Sequence, residues 1–354
     1  MGRTERVGDP WVSSVEAQDG AREFGKELVP NMHIYIFRRL LLFVPTLLLG
    51  TMMVFAVMRI LPGDIAMSIL GQEAQESGGA AVDPARLAAL RESLGLNDPI
   101  PVQYAKWVWS MVNGEFGGKT LLASEPIADV IALRFPKTAQ LAIMAFSMSI
   151  LIGIPLGILA ALYQDKWPDY VIRVILVGGL SIPSFWLAML VLLAGLLWFN
   201  WVPPVAYVGL TENFWGNMQI MFLPAFIIGF HSATLKARVT RATMLEVMRQ
   251  DYIRTAYSKG LARSVVLTRH ALRNAMIPVV TIAGLNLTAL FGGTVILESI
   301  FGIPGMGTGM IEGVRTRDYP LVQSLGALFL FITMIGNLIV DLSYGWLDPR
   351  VKYG

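Results

Sequence analysis

Residue types that usually carry chemistry are scarce in this chain, and most fail on spacing. The three histidines, His33, His231 and His270, are far apart, and there is no cysteine. Zinc sites draw on clustered Cys and His ligands, so no metal centre is expected, and no disulfide. A Ser/His/Asp hydrolase would need a nucleophile beside one of those three histidines. Gly117-Gly118-Lys119 lacks the earlier glycine of a phosphate loop, since that position is Asn113. Gly305 and Gly307 lack the third glycine of a dinucleotide loop, since that position is Met310. These absences argue against an enzyme and against a bound cofactor.

One constellation remains, and it is cationic. Between Lys236 and Arg273 lie nine Lys/Arg (Lys236, Arg238, Arg241, Arg249, Arg254, Lys259, Arg263, Arg269, Arg273) and two acids (Glu246, Asp251), a local charge of +7. The whole chain carries +3, so the remainder sums to −4. A basic cluster between apolar segments marks the cytoplasmic side of a membrane protein. The segment is composed mostly of helix formers. Gly260 predicts a break between two short helices, with the positive φ of a helix-terminating glycine. Ser264 is placed to cap the second helix, and Pro278 to begin a new span. Val265, Val266, Leu267, Ala271 and Leu272 need something to pack on.

The elements that must hold this cluster are set by composition. The chain has 354 residues, 55% hydrophobic and 15% charged, with mean hydropathy +0.58. Soluble domains carry about 25% charged residues, so this is a polytopic, all-α membrane protein. Residues 1–33 are polar and mixed, without the apolar core of a signal peptide; they read as a cytoplasmic tail. Charge-free runs long enough to cross a bilayer predict six spans, at about 38–60, 138–162, 174–199, 218–236, 275–297 and 319–341. Between the first two lies an insert, 61–133, with nine acids and four bases from Pro62 to Leu133, which suits the outer face. It contains a predicted helix over Pro84–Leu94 and an aromatic helix with Trp107 and Trp109. Gly153-x-Pro155-x-Gly157 in the second span predicts close helix packing. Arg59, Glu298 and Asp341 fall at span ends, within reach of water. Six spans with an inside N-terminus return the C-terminus inside and place the basic segment, 237–274, inside as well. No relay of acids or histidines runs through the spans, which disfavours a proton-coupled secondary transporter; that class, or a channel, is the alternative reading.

The cationic stretch also carries a resemblance. Tyr252, Arg254-Thr255-Ala256, Lys259-Gly260-Leu261, Val266, Arg269 to Ala275 and Pro278 resemble the cytoplasmic signature loop of ABC importer permeases, in the form used by the dipeptide/oligopeptide/nickel branch. The general motif has Glu, Ala, Ile and Pro where this chain has Arg254, Thr255, His270 and Arg273. Arg59 to Asp64, Ser181 to Trp186, Glu298 to Gly307 and Leu347 to Arg350 resemble further stretches of that family, from about Phe37 to the end.

The resemblance implies the six-helix fold of these permeases, residues 34–354, with the insert outside and both termini cytoplasmic in a bacterial or archaeal plasma membrane. It implies lipid and three kinds of protein partner: a second homologous permease, two ATP-binding subunits and an extracytoplasmic solute-binding protein, with no nucleic acid. It also implies that Arg254, Thr255, Ala256, Lys259, Gly260, Leu261, Arg269, His270, Leu272 and Arg273 couple the chain to the ATPase. Peptides or similar small solutes would be the cargo.

Overall fold

The computed structural model describes residues 32–60, 65–76, 83–93, 95–121, 123–204 and 206–347. The tail 1–31, the Pro62-Gly63-Asp64 turn and Asp348 to Arg350 lie outside them. Helices make up the regular structure of the described residues, beside a single antiparallel bridge between Lys119 and Pro126. In chain order they are α1 (Met32–Ile60), α2 (Ile65–Glu76), α3 (Pro84–Ser93), α4 (Ile100–Val112), α5 (Ile127–Leu162), α6 (Trp167–Ser181), α7 (Ser184–Phe199), α8 (Phe214–Met248), α9 (Asp251–Ser258), α10 (Arg263–Ile300), α11 (Met306–Arg315) and α12 (Tyr319–Leu347).

Five helices, α1, α5, α8, α10 and α12, are long and apolar enough to cross a membrane. The predicted span 174–199 differs: it divides into α6 and α7, bent by 102°. Pro183 causes the break, because proline disfavours a helical conformation at Ile182, whose φ and ψ are extended. The pair makes a sixth crossing if it counts as one span. Pro45, Pro136, Pro155, Pro224 and Pro278 are all absorbed inside helices, as neighbouring helices in a membrane permit.

The centre of the bundle is the contact between α5 and α8. Small residues line α5 at every fourth position: Ala145, Ser149, Gly153, Gly157, Ala161. On α8 the matching row is Ala225, Gly229, Ala233, Ala237. All nine are buried. A Cβ added at Gly153 would lie 2.7 Å from the Ala233 carbonyl oxygen, and one at Gly157 would lie 2.6 Å from that of Ala237. One at Gly229 would meet the Ala145 carbonyl oxygen at 2.7 Å. The backbones therefore touch along several turns, the geometry that small-residue rows allow. Leu141, Ile220, Met221, Ile227 and Leu297 fill the core beside this seam.

α10 and α12 complete the bundle. Gly284 faces Val340, Gly336 faces Thr288, and Thr288 donates from Oγ1 to Asn337 Oδ1 at 3.0 Å. α1 lies outermost and exposes Phe37, Leu41, Leu49 and Met53. Its Arg39 pairs with Asp341 of α12 at 2.6 Å.

At the insert end, three ties hold neighbouring segments together. Leu121 N donates to Asp318 Oδ2 at 2.8 Å, Ser324 Oγ donates to the Phe116 carbonyl at 2.6 Å, and Arg134 pairs with Glu312 at 2.8 Å. Burial pushes the Asp318 carboxyl above the usual carboxylate range, while N–H donors from Leu121 and Leu321 hold it back. Glu298 corrects the expectation of a carboxylate at the water's edge: it is fully buried. It accepts from Thr138 Oγ1 at 2.7 Å and from the Gly307 and Thr308 N–H groups at 2.8 and 3.2 Å. Its charge thus sits at the positive end of α11. Gly305 and Gly307 leave the room for it, since a Cβ at either would press on the carboxylate.

The seam predicts a sharp contrast between glycines. Gly157→Leu should lower thermal stability in detergent or nanodiscs by about 1–3 kcal/mol or more, the range for overpacking. Gly178→Ala, whose added Cβ meets nothing within 4 Å, should be neutral or stabilising, because alanine outranks glycine in a helix. Equal behaviour of the two would remove the seam as the source of cohesion.

Candidate functional site

The cationic segment is built on the end of α8. That helix does not stop at 236 but continues to Met248, so part of the expected loop 237–274 is a rigid extension of a span. Arg249 and Gln250 turn the chain, and α9 follows. Its Ile253 and Ala256 are buried, while Asp251, Arg254, Thr255, Tyr257 and Ser258 are exposed: one apolar face and one polar face on a helix of eight residues.

Gly260 terminates α9 as expected, with φ +76°. Gly260 N donates to the Tyr257 carbonyl at 2.9 Å, and Leu261 N donates to the Ala256 carbonyl at 3.4 Å. These are the two bonds of a Schellman cap. α10 begins at Arg263 without a side-chain cap, so Ser264 does not serve as one. Pro278 does not start a new helix; α10 runs unbroken from Arg263 to Ile300. Its turns over Val266–Leu272 are π-helical. The wider turn keeps Val266 and Ala271, five residues apart, on the same buried side.

Both helices rest on one small core: Ala161 of α5, Met244 of α8, Ile253 and Ala256 of α9, and Val266, Ala271 and Ala275 of α10. Leu267 and Leu272 pack against it. The apolar residues therefore find their partners within this chain, although Val265 stays 38% exposed. Asn274 Nδ2 donates to Tyr252 Oη at 2.8 Å, a further tie from α10 to α9.

The ten residues singled out for coupling divide on this surface. Arg254, Thr255, Lys259, Gly260, Leu261, Arg269 and Arg273 are exposed, His270 and Leu272 are half-buried, and Ala256 is buried beneath α9. Arg254 reaches Asp251 at 3.6 Å, with both side chains largely in solvent, a contact worth little. Tyr257, Leu261 and Val265 are exposed apolar side chains among these cations.

Two of the nine cations are not on this surface. Lys236 is fully buried against α5; its Nζ donates to Ser232 Oγ at 2.8 Å and lies 5.7 Å from the Phe146 ring centroid. Arg241 is committed to Asp169 through a two-pronged pair, Nε to Oδ1 at 2.8 Å and a terminal nitrogen to Oδ2 at 2.7 Å. Asp169 has no exposure and also accepts from Asp165 N at 3.1 Å. Arg173 stands 3.4 Å from the same carboxylate. This carboxylate pins the Tyr163–Tyr170 turn to α8. Residue counting missed it, because one lysine and two aspartates in a short turn are uninformative without the arginine opposite.

Comparison with known proteins places the chain among transport proteins. The family described as "Binding-protein-dependent transport system inner membrane component" matches residues 153–353, and its N-terminal companion matches residues 32–142. The chain is 37% identical to a putative peptide transport system permease protein of Brucella abortus (strain 2308), over 91% of this chain and 100% of that one. It is 36% identical to a dipeptide transport system permease protein of Alkalihalophilus pseudofirmus, over 91% and 100%. It is 36% identical to a glutathione transport system permease protein of Salmonella choleraesuis, over 90% and 99%. A solved amino acid ABC transporter aligns with a TM-score of 0.49 and 14% identity, over 62% of this chain and 94% of that one.

Two substitutions test how the site is held. Gly260→Val forces a β-branched residue into a left-handed conformation at a cost of about 1–2 kcal/mol, whereas Gly260→Asn tolerates it. Hydrogen exchange should show Asp251–Ser258 losing protection in the valine variant only, with the bundle's melting temperature nearly unchanged. Asp169→Asn takes the carboxylate from the partly exposed Arg241 and should cost about 1–2 kcal/mol; no loss of thermal stability would mean that the pair does not anchor the turn.

Proposed function

The chain belongs to the family of binding-protein-dependent transport system inner membrane components and is a permease subunit of an ABC importer, and we propose that it forms one half of a pathway for peptides or similar small solutes. The observation that carries the coupling part of this reading is the capped helix α9, seated on the bundle core and presenting cations around Tyr257 and Leu261. Such a surface suits a groove with acidic and apolar groups on a partner subunit. The partners in this reading are a second permease, two ATP-binding subunits and an extracytoplasmic binding protein. The names of the similar proteins, which transport peptides, dipeptides and glutathione, support the cargo class.

Orientation follows from the same surface. Seven cations remain exposed after Lys236 and Arg241 are withdrawn from the nine, which supports an inside location for this surface. The acidic insert is then outside. Ile253 and Ala256 seat α9 in one apolar core with Met244 and Ala161. A displacement of α9 by the ATPase pair would pass directly into α8 and α5, and so move the bundle as a rigid body. Ala256 contributes from below, by seating α9, and Leu261 by contact.

Coupling and topology are tested separately. Gly260→Val should reduce both solute uptake and co-purification of the ATP-binding subunits at normal membrane abundance; normal uptake with normal co-purification would sink the coupling assignment. Arg254→Glu should weaken co-purification, most at low salt, where screening is least. Cysteines introduced at Ser258 and Ala123 should react differently with an impermeant thiol reagent in intact cells, Ala123→Cys labelling and Ser258→Cys remaining protected. Equal labelling would exclude the proposed orientation.

A further inference from the structure

Among the described residues, five side-chain atoms are buried without a hydrogen-bond partner: Arg59 Nε, Gln103 Oε1, Trp107 Nε1 and two nitrogens of Arg173. Buried polar atoms are normally paired. The first three belong to residues that line one cavity of about 290 Å³, where the end of α1, α4 and the start of α12 meet at the insert end.

The wall of this cavity is fixed. Arg59 lies over the Phe55 ring, 5.0 Å from its centroid, and Phe55 stands 5.9 Å from Trp107. Phe55 and Trp107 are buried. Gly117, at φ +84°, closes over the indole: a Cβ there would lie 3.3 Å from Trp107 Nε1. Gln103 is held by its amide nitrogen, which donates to the Leu96 and Asp98 carbonyls at 3.1 and 2.7 Å, so its Oε1 remains an acceptor. Lys106 is already paired with Asp98 at 2.6 Å. Arg59 meets no carboxylate among the described residues, and a guanidinium on an aromatic face is well placed to receive one. The exposed Glu115, also in the lining, is an acceptor for a donor group on the same solute.

We propose that this cavity binds a small solute carrying both a carboxylate and an N–H donor, as an amino acid or short peptide does, with Arg59 as the carboxylate's partner. The importer reading supplies only its place on the entry side. The permease would then have a solute site of its own, apart from whatever a delivering protein provides.

The test is a titration of the full chain in lipid nanodiscs, followed by the indole Nε1–H resonance of Trp107, assigned with Trp107→Phe. Alanyl-alanine at millimolar concentrations should shift this resonance saturably. Its C-terminal amide should bind about tenfold more weakly or worse, and Arg59→Gln should weaken the dipeptide about tenfold. Arg59→Lys should recover part of the loss, which separates lost charge from lost fold. Three results would each overturn the proposal. They are no shift with any probe, equal binding of dipeptide and amide, or inorganic phosphate binding as well as the dipeptide. Co-purification of ATP-binding subunits does not involve this cavity, so the importer reading and the site can fail independently.

Discussion

The contact on which the rest of the structure depends is the close approach of α5 and α8. In a membrane, helices gain nothing by hiding apolar surface from lipid, so their cohesion comes from packing and polar contacts. Rows of small residues bring the two backbones to touching distance, and at Gly153, Gly157 and Gly229 even a methyl group has no room. Everything assigned to coupling hangs from this pair. α8 extends beyond the bundle as one helix and carries Met244, on which α9 is seated. α5 ends at the turn that Asp169 ties back to Arg241.

Charge is used in two different ways. On the exposed side of α9 and α10 it is unpaired or loosely paired, suited to meeting a partner. Inside the bundle it is satisfied by specific geometry. Asp169 takes a two-pronged arginine, and Glu298 takes two backbone N–H groups at the start of α11 together with a threonine hydroxyl. The two glycines beside Glu298 make sense as clearance for its carboxylate rather than as a phosphate or dinucleotide loop. Lys236 is the exception. It is a fully buried amine held by one serine hydroxyl over an aromatic ring, and no carboxylate among the described residues pairs with it.

The insert end is less regular, yet it is fastened to the bundle by backbone groups. Leu121 and Phe116, from the loop between α4 and α5, meet Asp318 and Ser324 at the start of α12. This leaves α1, α4 and α12 facing one another around a cavity, where aromatic packing fixes Arg59 without neutralising it.

The sequence by itself determined the class, the existence of long apolar helices, the cationic segment and the left-handed break at Gly260. Each depends on local composition or on a property of one residue type: hydrophobic length, charge density, and the tolerance of glycine for positive φ. The string from Tyr252 to Pro278 also carried the family. Tertiary structure decided what local pattern cannot contain. Pro183 breaks the third apolar run whereas Pro155, Pro224 and Pro278 are absorbed, because only the neighbours of each proline settle whether the helix continues. Lys236 and Arg241 left the surface because α5 and Asp169 face them across the bundle. Ala256 turned inward because Met244 and Val266 lie beneath it, and Glu298 was buried because α11 offers its N-terminus. Partners far apart in the chain define all of these, and a reading along the chain has no term for them.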